Sequence, residues 1–151
     1  MAVRANPKLI DDLERYGAED VQACYQCGNC SAACPFSHDP FAFPRRSMHL
    51  LQLGLERKLR SGLEPWLCYY CGDCSAQCPR GAEPGETMMS IRRWLTGQYD
   101  FTGVARLFYR SWRAELAAIV GVALLTGLGL LAYGFTWGGG SLAVYHGPDA
   151  F

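Results

Sequence analysis

Cys24-Tyr-Gln-Cys27-Gly-Asn-Cys30-Ser-Ala-Ala-Cys34-Pro35 and Cys68-Tyr-Tyr-Cys71-Gly-Asp-Cys74-Ser-Ala-Gln-Cys78-Pro79 decide how this 151-residue chain is read. Each stretch has the form Cys-x2-Cys-x2-Cys-x3-Cys-Pro, and together they hold all eight cysteines. Three cysteines at intervals of three let a tightly wound loop reach three iron corners of one cubane. The fourth, followed by proline, is carried away and ligates the other cluster. This assigns Cys24, Cys27, Cys30 and Cys78 to one [4Fe–4S] cluster, and Cys68, Cys71, Cys74 and Cys34 to a second. Gly28 and Gly72 leave room for the backbone near inorganic sulfide, and Pro35 and Pro79 turn the chain out of the site.

Two other uses of eight cysteines compete with this one. A disulfide scaffold suits a small secreted domain, but the start Met-Ala-Val-Arg-Ala-Asn-Pro lacks the apolar stretch of a signal peptide. Zinc sites pair two separated Cys-x2-Cys knuckles, whereas here four cysteines crowd into each short run. Repetition of one spacing favours clusters over both.

Outward from the runs the pattern is helical. Leu9, Ile10 and Leu13 recur at helical spacing in a short lead-in that Gly17 ends. A turn-rich passage, Ser37-His-Asp-Pro40, closes at Pro44. From Arg45 to about Arg60 one continuous helix is predicted, with Met48, Leu51, Leu55 and Leu59 on one stripe and Leu50 and Leu53 widening it. Arg57, Lys58 and Arg60 suit its C-terminal dipole, and Gly62 follows as a stop. Pro84 to about Leu95 reads as a further helix. No alternating segment is long enough for a strand, so the soluble part is mainly α.

The net charge is zero, which gives no argument for nucleic acid as a partner. Its distribution is uneven: the Lys and Arg residues lie before Ala114, and beyond Glu115 the only charged side chain is Asp149. Residues 116–137 form an uncharged apolar stretch of the roughly 20 residues that a bilayer requires. Tyr109 and Trp112 flank one end, and Tyr133, Phe135 and Trp137 the other, as interfacial aromatic residues do. The resulting division is a dicluster ferredoxin domain (1–97), a basic juxtamembrane linker (98–115), one transmembrane helix (116–137) and a short tail (138–151). That tail is either non-cytoplasmic or the start of a larger membrane domain. Arg92, Arg93, Arg106, Arg110 and Arg113 place the cysteine-bearing part in the cytoplasm by the positive-inside rule, with the helix in the inner membrane.

Weaker signals remain. None of His38, His49 and His146 lies inside the span, which excludes a haem held by two histidines of that helix. Tyr25, Tyr69 and Tyr70 stand where they can shield clusters from water. Arg45, Arg46 and Arg80 are candidates for a face that docks an acidic partner, with solvated arginines as the plainer reading. Gly121, Gly127, Gly129 and Gly134 are candidates for close approach of another membrane helix.

The stretch from Pro44-Arg-Arg-Ser-Met48 through Leu-Leu-Gln-Leu-Gly-Leu-Glu-Arg, then Trp66-Leu-Cys68 and Cys78-Pro-Arg-Gly81, resembles the C-type subunit of heterodisulfide reductase. It is equally similar to the N-terminal part of the membrane subunit of quinone-interacting membrane-bound oxidoreductase. The resemblance covers residues 5–96 or so and implies the all-helical dicluster ferredoxin fold. It also implies other oxidoreductase subunits as partners: a flavin or iron–sulfur subunit, and a haem b or quinone-reactive membrane subunit. No Cys-Cys-Gly motif is present, so the heterodisulfide-cleaving site of another subunit in that family is absent from this chain.

The function expected is an electron relay without catalytic residues, between a membrane quinone or haem partner and a cytoplasmic flavin or iron–sulfur subunit. The alternative is a structural or redox-sensing docking module. An autonomous reductase would need an open iron position, and the eight well-spaced ligands leave none in view.

Overall fold

The structure, a computed structural model, describes residues 4–137. The tail from residue 138 onward, His146 included, lies outside the described residues. Among the described residues there is no β-strand, only an isolated bridge between His38 and Phe41. The chain divides between Arg110 and Ser111 into two units.

In the first unit α1 (Leu9–Glu14) buries Leu9 and Leu13, and the chain turns away through Gly17. A 3-10 turn, Val21–Ala23, leads into the first cysteine run, which contains α2 (Asn29–Ala33). After the passage to Pro44 come α3 (Arg45–Gln52) and α4 (Glu56–Arg60). The second run follows α5 (Glu64–Leu67) and contains α6 (Asp73–Ala76). Next is α7 (Pro84–Tyr99), whose Pro84 occupies a first-turn position where no backbone donor is needed. The unit closes with α8 (Val104–Arg110).

The single helix predicted over residues 45–60 is two helices. Gly54 breaks it: it takes φ +67°, and a Cβ there would collide with the Asn6 carbonyl oxygen. The Leu55 N–H donates to the Leu50 carbonyl at 2.9 Å and the Gly54 N–H to that of Leu51 at 2.9 Å. This pair of bonds is the Schellman ending that glycine permits. The Asn6 N–H donates to the Gly54 carbonyl at 2.8 Å, tying the lead-in to the break. Leu53, expected to widen the apolar stripe, is instead 48% exposed at the helix end.

Helix α7 is the spine. It packs against α1, α3, α5, α6 and α8. Met88, Ile91, Trp94 and Leu95 meet Leu9, Leu13, Met48, Leu51 and Leu59 in one buried cluster. Each such side chain contributes roughly 1.5–3 kcal/mol of burial. The Arg93 guanidinium donates to the Tyr16 carbonyl at 2.9 Å, and that of Arg106 to the Gly97 carbonyl at 3.1 Å, fixing α1 and α8 to the spine. The Asp100 carboxylate accepts the N–H groups of Thr102 at 2.8 Å and Ala105 at 2.6 Å, capping α8. These bonds, the Thr102 side chain foremost, hold the Asp100 carboxyl below its ordinary pKa.

The second unit contains α9 (Trp112–Trp137), which is long and apolar enough to cross a membrane over Trp112–Thr136. It begins four residues before the span predicted from sequence. The threonines inside it satisfy their hydroxyls within the helix: Thr126 donates to the Val122 carbonyl at 2.9 Å and Thr136 to that of Ala132 at 2.9 Å.

Candidate iron–sulfur site

The two cysteine runs are near-copies in backbone as well as in sequence. Cys24 and Cys68 each end a helical turn in extended conformation, at φ −73°, ψ 119° and φ −69°, ψ 121°. Gln26 and Tyr70 both take left-handed values, φ 64° and 61°. Gly28 and Gly72 follow at φ 93° and 87°, a conformation that glycine enters without steric cost, and each starts a short helix, α2 or α6. The left-handed turn accounts for the glycines.

Burial repeats in the same register. Cys30 and Cys74 are buried, Cys27 and Cys71 are exposed, and the other four are intermediate. All eight thiols are free. Among the described residues no three His, Cys, Asp or Glu side chains converge as a single metal ion requires. An all-thiolate donor set is the one a cubane takes.

Each run is also held by the helix that follows it. Gln52 of α3 donates to the carbonyls of Val21 at 3.1 Å and Cys24 at 2.7 Å, and accepts from the Gln26 amide at 2.7 Å. Arg92 of α7 donates to the carbonyls of Pro65 at 2.8 Å and Trp66 at 3.3 Å, and also to that of Cys68. The carbonyls left over at the end of the turn before each first cysteine thus find a partner. The sequence reading does not single out Gln52 and takes Arg92 only as one of the arginines preceding the span. Gln52, a polar residue closing an apolar helical pattern, is a weak signal, and nothing in the α7 sequence sets Arg92 apart from Arg93 beside it.

The runs interleave across the domain. Helices α2 and α6 pack together, and each run's final segment reaches the other's opening. Phe36 stacks edge-on against Tyr69, with ring centroids 5.5 Å apart. The Tyr25 phenol pKa is raised, by burial first and then by Cys27, with Arg80 of the other run drawing it part of the way back. The thiols of the two runs also act on one another. Burial raises Cys30, and Cys24, Cys27 and Cys78 add to the effect. Burial likewise raises Cys34, against the N–H groups of Phe36 and Ser37, with Cys71 and Cys68 as its thiol neighbours. Cys68 is raised by burial and drawn back by Arg92. Cys74 is pushed up to about 11 by burial, then by Cys68, Cys30, Cys71 and Cys34. A cavity is lined by Cys34 together with Cys68, Cys71 and Cys74, and walled by Phe36, Phe43 and Tyr69.

His38, His49 and Arg46 fall outside this constellation. His38 hydrogen-bonds the Phe36 carbonyl at 3.0 Å through its own Nδ1, and His49 is an exposed residue of α3. Arg46 is paired with Glu64 at 2.8 Å. Tyr25, Tyr69 and Tyr70 are 59%, 60% and 50% exposed, so each covers its run with one face only.

Among the described residues the array is helical and without strands, and residues 20–82 match the 4Fe–4S dicluster domain family. The chain is also similar to the C-type iron–sulfur subunits of heterodisulfide reductase. It is 31% identical over 99 residues to a protein of Archaeoglobus profundus described as like that C-type subunit, covering 65% of this chain and 53% of that protein. It is 34% identical over 95 residues to the C-type iron–sulfur subunit of CoB–CoM heterodisulfide reductase from Methanopyrus kandleri, covering 58% of this chain and 50% of that protein. The chain thus spans about half the length of the curated relatives it matches.

Proposed function

We propose that the chain is an electron-transfer subunit with two [4Fe–4S] clusters. Cys24, Cys27, Cys30 and Cys78 hold one and Cys68, Cys71, Cys74 and Cys34 the other. The observation that carries this reading is the crosswise meeting of the runs. Cys34 shares a cavity with the three spaced cysteines of the second run, and Cys78 neighbours Cys30. Ligands exchanged in this way hold two one-electron centres side by side, as a relay requires.

The division into a dicluster domain (1–97), a basic linker (98–115), a span (116–137) and a tail belongs to the same proposal. So does the topology, a single pass of the cytoplasmic membrane with the clusters on the cytoplasmic side. The apolar α9 and the arginines that precede it support this placement. The partners would be a quinone- or haem-bearing membrane subunit on one side and a cytoplasmic flavin or iron–sulfur subunit on the other, within one oxidoreductase complex. A redox-sensing module is the second reading, favoured by the exposure of Cys27 and Cys71.

The test is anaerobic purification in mild detergent, iron and sulfide analysis, and electron paramagnetic resonance during a redox titration. About eight irons per chain, with magnetic coupling between two reduced centres, is the expected result. Zinc, or one uncoupled centre, would overturn the assignment. Clusters that break down reversibly in mild oxidant without passing electrons to a quinone or flavin acceptor would favour the sensor.

A further inference from the structure

Matched position by position, the two runs differ at Gln26 against Tyr70, Asn29 against Asp73, Ala33 against Gln77 and, just past the proline, Phe36 against Arg80. Their backbones repeat around the three spaced cysteines, so the peptide dipoles there are alike, while at the fourth the Ala82 N–H donates to Cys78 Sγ at 3.3 Å. Side-chain charge differs as well. The crosswise exchange sorts it in one direction: Phe36 packs against Tyr69 of the second run, and the repeat gives Arg80, two residues past Cys78, the matching place by the first. Asn29 and Arg80 therefore share one site, and Asp73 and Phe36 the other.

Neighbouring elements add to the contrast. The Arg45 guanidinium stands 3.8 Å from where a Cβ on Gly28 would be, while nothing lies within 4 Å of the corresponding point on Gly72. Glu86 accepts the Tyr70 hydroxyl. Arg92, held by three carbonyl oxygens, keeps its positive charge and opposes the trend at the second site. The first site thus has two cations beside it, and the second has one cation against two carboxylates.

Reduction adds one negative charge, so nearby cations favour it and carboxylates oppose it. We infer that these side chains make the two sites unequal. Arg45 and Arg80 make the site of Cys24, Cys27, Cys30 and Cys78 the one that accepts an electron first. Asp73 and Glu86 make the site of Cys34, Cys68, Cys71 and Cys74 the low-potential one. The inference rests on the crosswise two-cluster reading above. The step is the gain of one electron from an added reductant, dithionite, with no bond made and no proton moved.

The experiment is an anaerobic dithionite titration of the full chain in detergent, followed by electron paramagnetic resonance, after iron analysis of each preparation. Arg80→Gln lowers the higher of two midpoints and leaves the lower unchanged. Asp73→Asn raises the lower midpoint alone. Each shift corresponds to about a tenfold change in the reduction equilibrium, about 59 mV for a one-electron couple. Combining Asn29→Asp with Asp73→Asn narrows the gap further. All three positions are exposed, so folding is not at stake. Movement of the lower midpoint by Arg80→Gln, of the higher one by Asp73→Asn, or of neither, overturns the inference while leaving two clusters in place. Four irons per chain instead of eight overturns the paired-cluster reading beneath it, and is seen before any titration begins.

Discussion

The α1–α3–α7 core and the cysteine face of the same domain are built on opposite terms. In the core, Leu9, Leu13, Met48, Leu51, Met88, Ile91 and Leu95 are completely buried, and carbon packing does the holding. On the cysteine face even the ligand candidates Cys27 and Cys71 are exposed, and Tyr25, Tyr69 and Tyr70 are half open to water. One region is held together by exclusion of water. The other is held by a few hydrogen bonds from Gln52 and Arg92 and by whatever the thiols bind. The difference predicts that the spine of the domain forms before the site is filled, and that the site's loops depend on its filling.

The largest effect expected on that contrast is the loss of one ligand. Cys74→Ser should remove about half of the iron while far-UV circular dichroism keeps its helical signal. Collapse of the helices together with the iron would show that core and face are one cooperative unit. Next, Leu51→Ala should lower unfolding free energy by about 2–5 kcal/mol, read from a urea midpoint, with iron content at zero urea unchanged.

A smaller effect, in the apo chain, separates the two regions by pH. Burial and neighbouring thiols raise Cys74 from 9.0 to about 11, so the folded apo chain holds that proton more tightly than the unfolded one. The stability it contributes is complete below about pH 9 and falls as pH rises towards 11. The cluster-loaded chain should lack this loss, because its ligands are already thiolates; equal losses in both forms would place the effect elsewhere. The smallest expected effect lies inside the core. The Ser90 hydroxyl is buried without a hydrogen-bond partner, and Ser90→Ala should raise stability by about 1 kcal/mol in the same urea titration.

Much of this was legible in the sequence, for identifiable reasons. The cysteine spacing is fixed by the shape of a cubane and survives any surrounding change, so the runs could be read directly and a crosswise assignment drawn from them. The apolar stretch was equally plain, though Trp112 and Arg113 extend its helix beyond the uncharged residues. The break at Gly54 was missed because Leu51, Leu55 and Leu59 keep helical spacing across it. What ends α3 is a left-handed glycine whose carbonyl is taken by the distant Asn6, and periodicity carries no record of that partner. The short helices α2, α5 and α6 were missed for a similar reason. They are single turns nucleated by Gly28, Gly72 and tertiary contact, too brief to show a repeat.

The exchange of final segments between the runs bears on how the protein is made. A chain leaving the ribosome at roughly 5–20 residues per second presents Cys24, Cys27 and Cys30 several seconds before Cys78 appears. During that interval the first run has three of its four partners and Cys34 faces no second run. Under the proposed crosswise assignment, metal loading would follow the synthesis of Cys78 and the meeting of the two runs. Until then the nascent domain carries unpaired thiols that oxygen or a stray metal ion can reach.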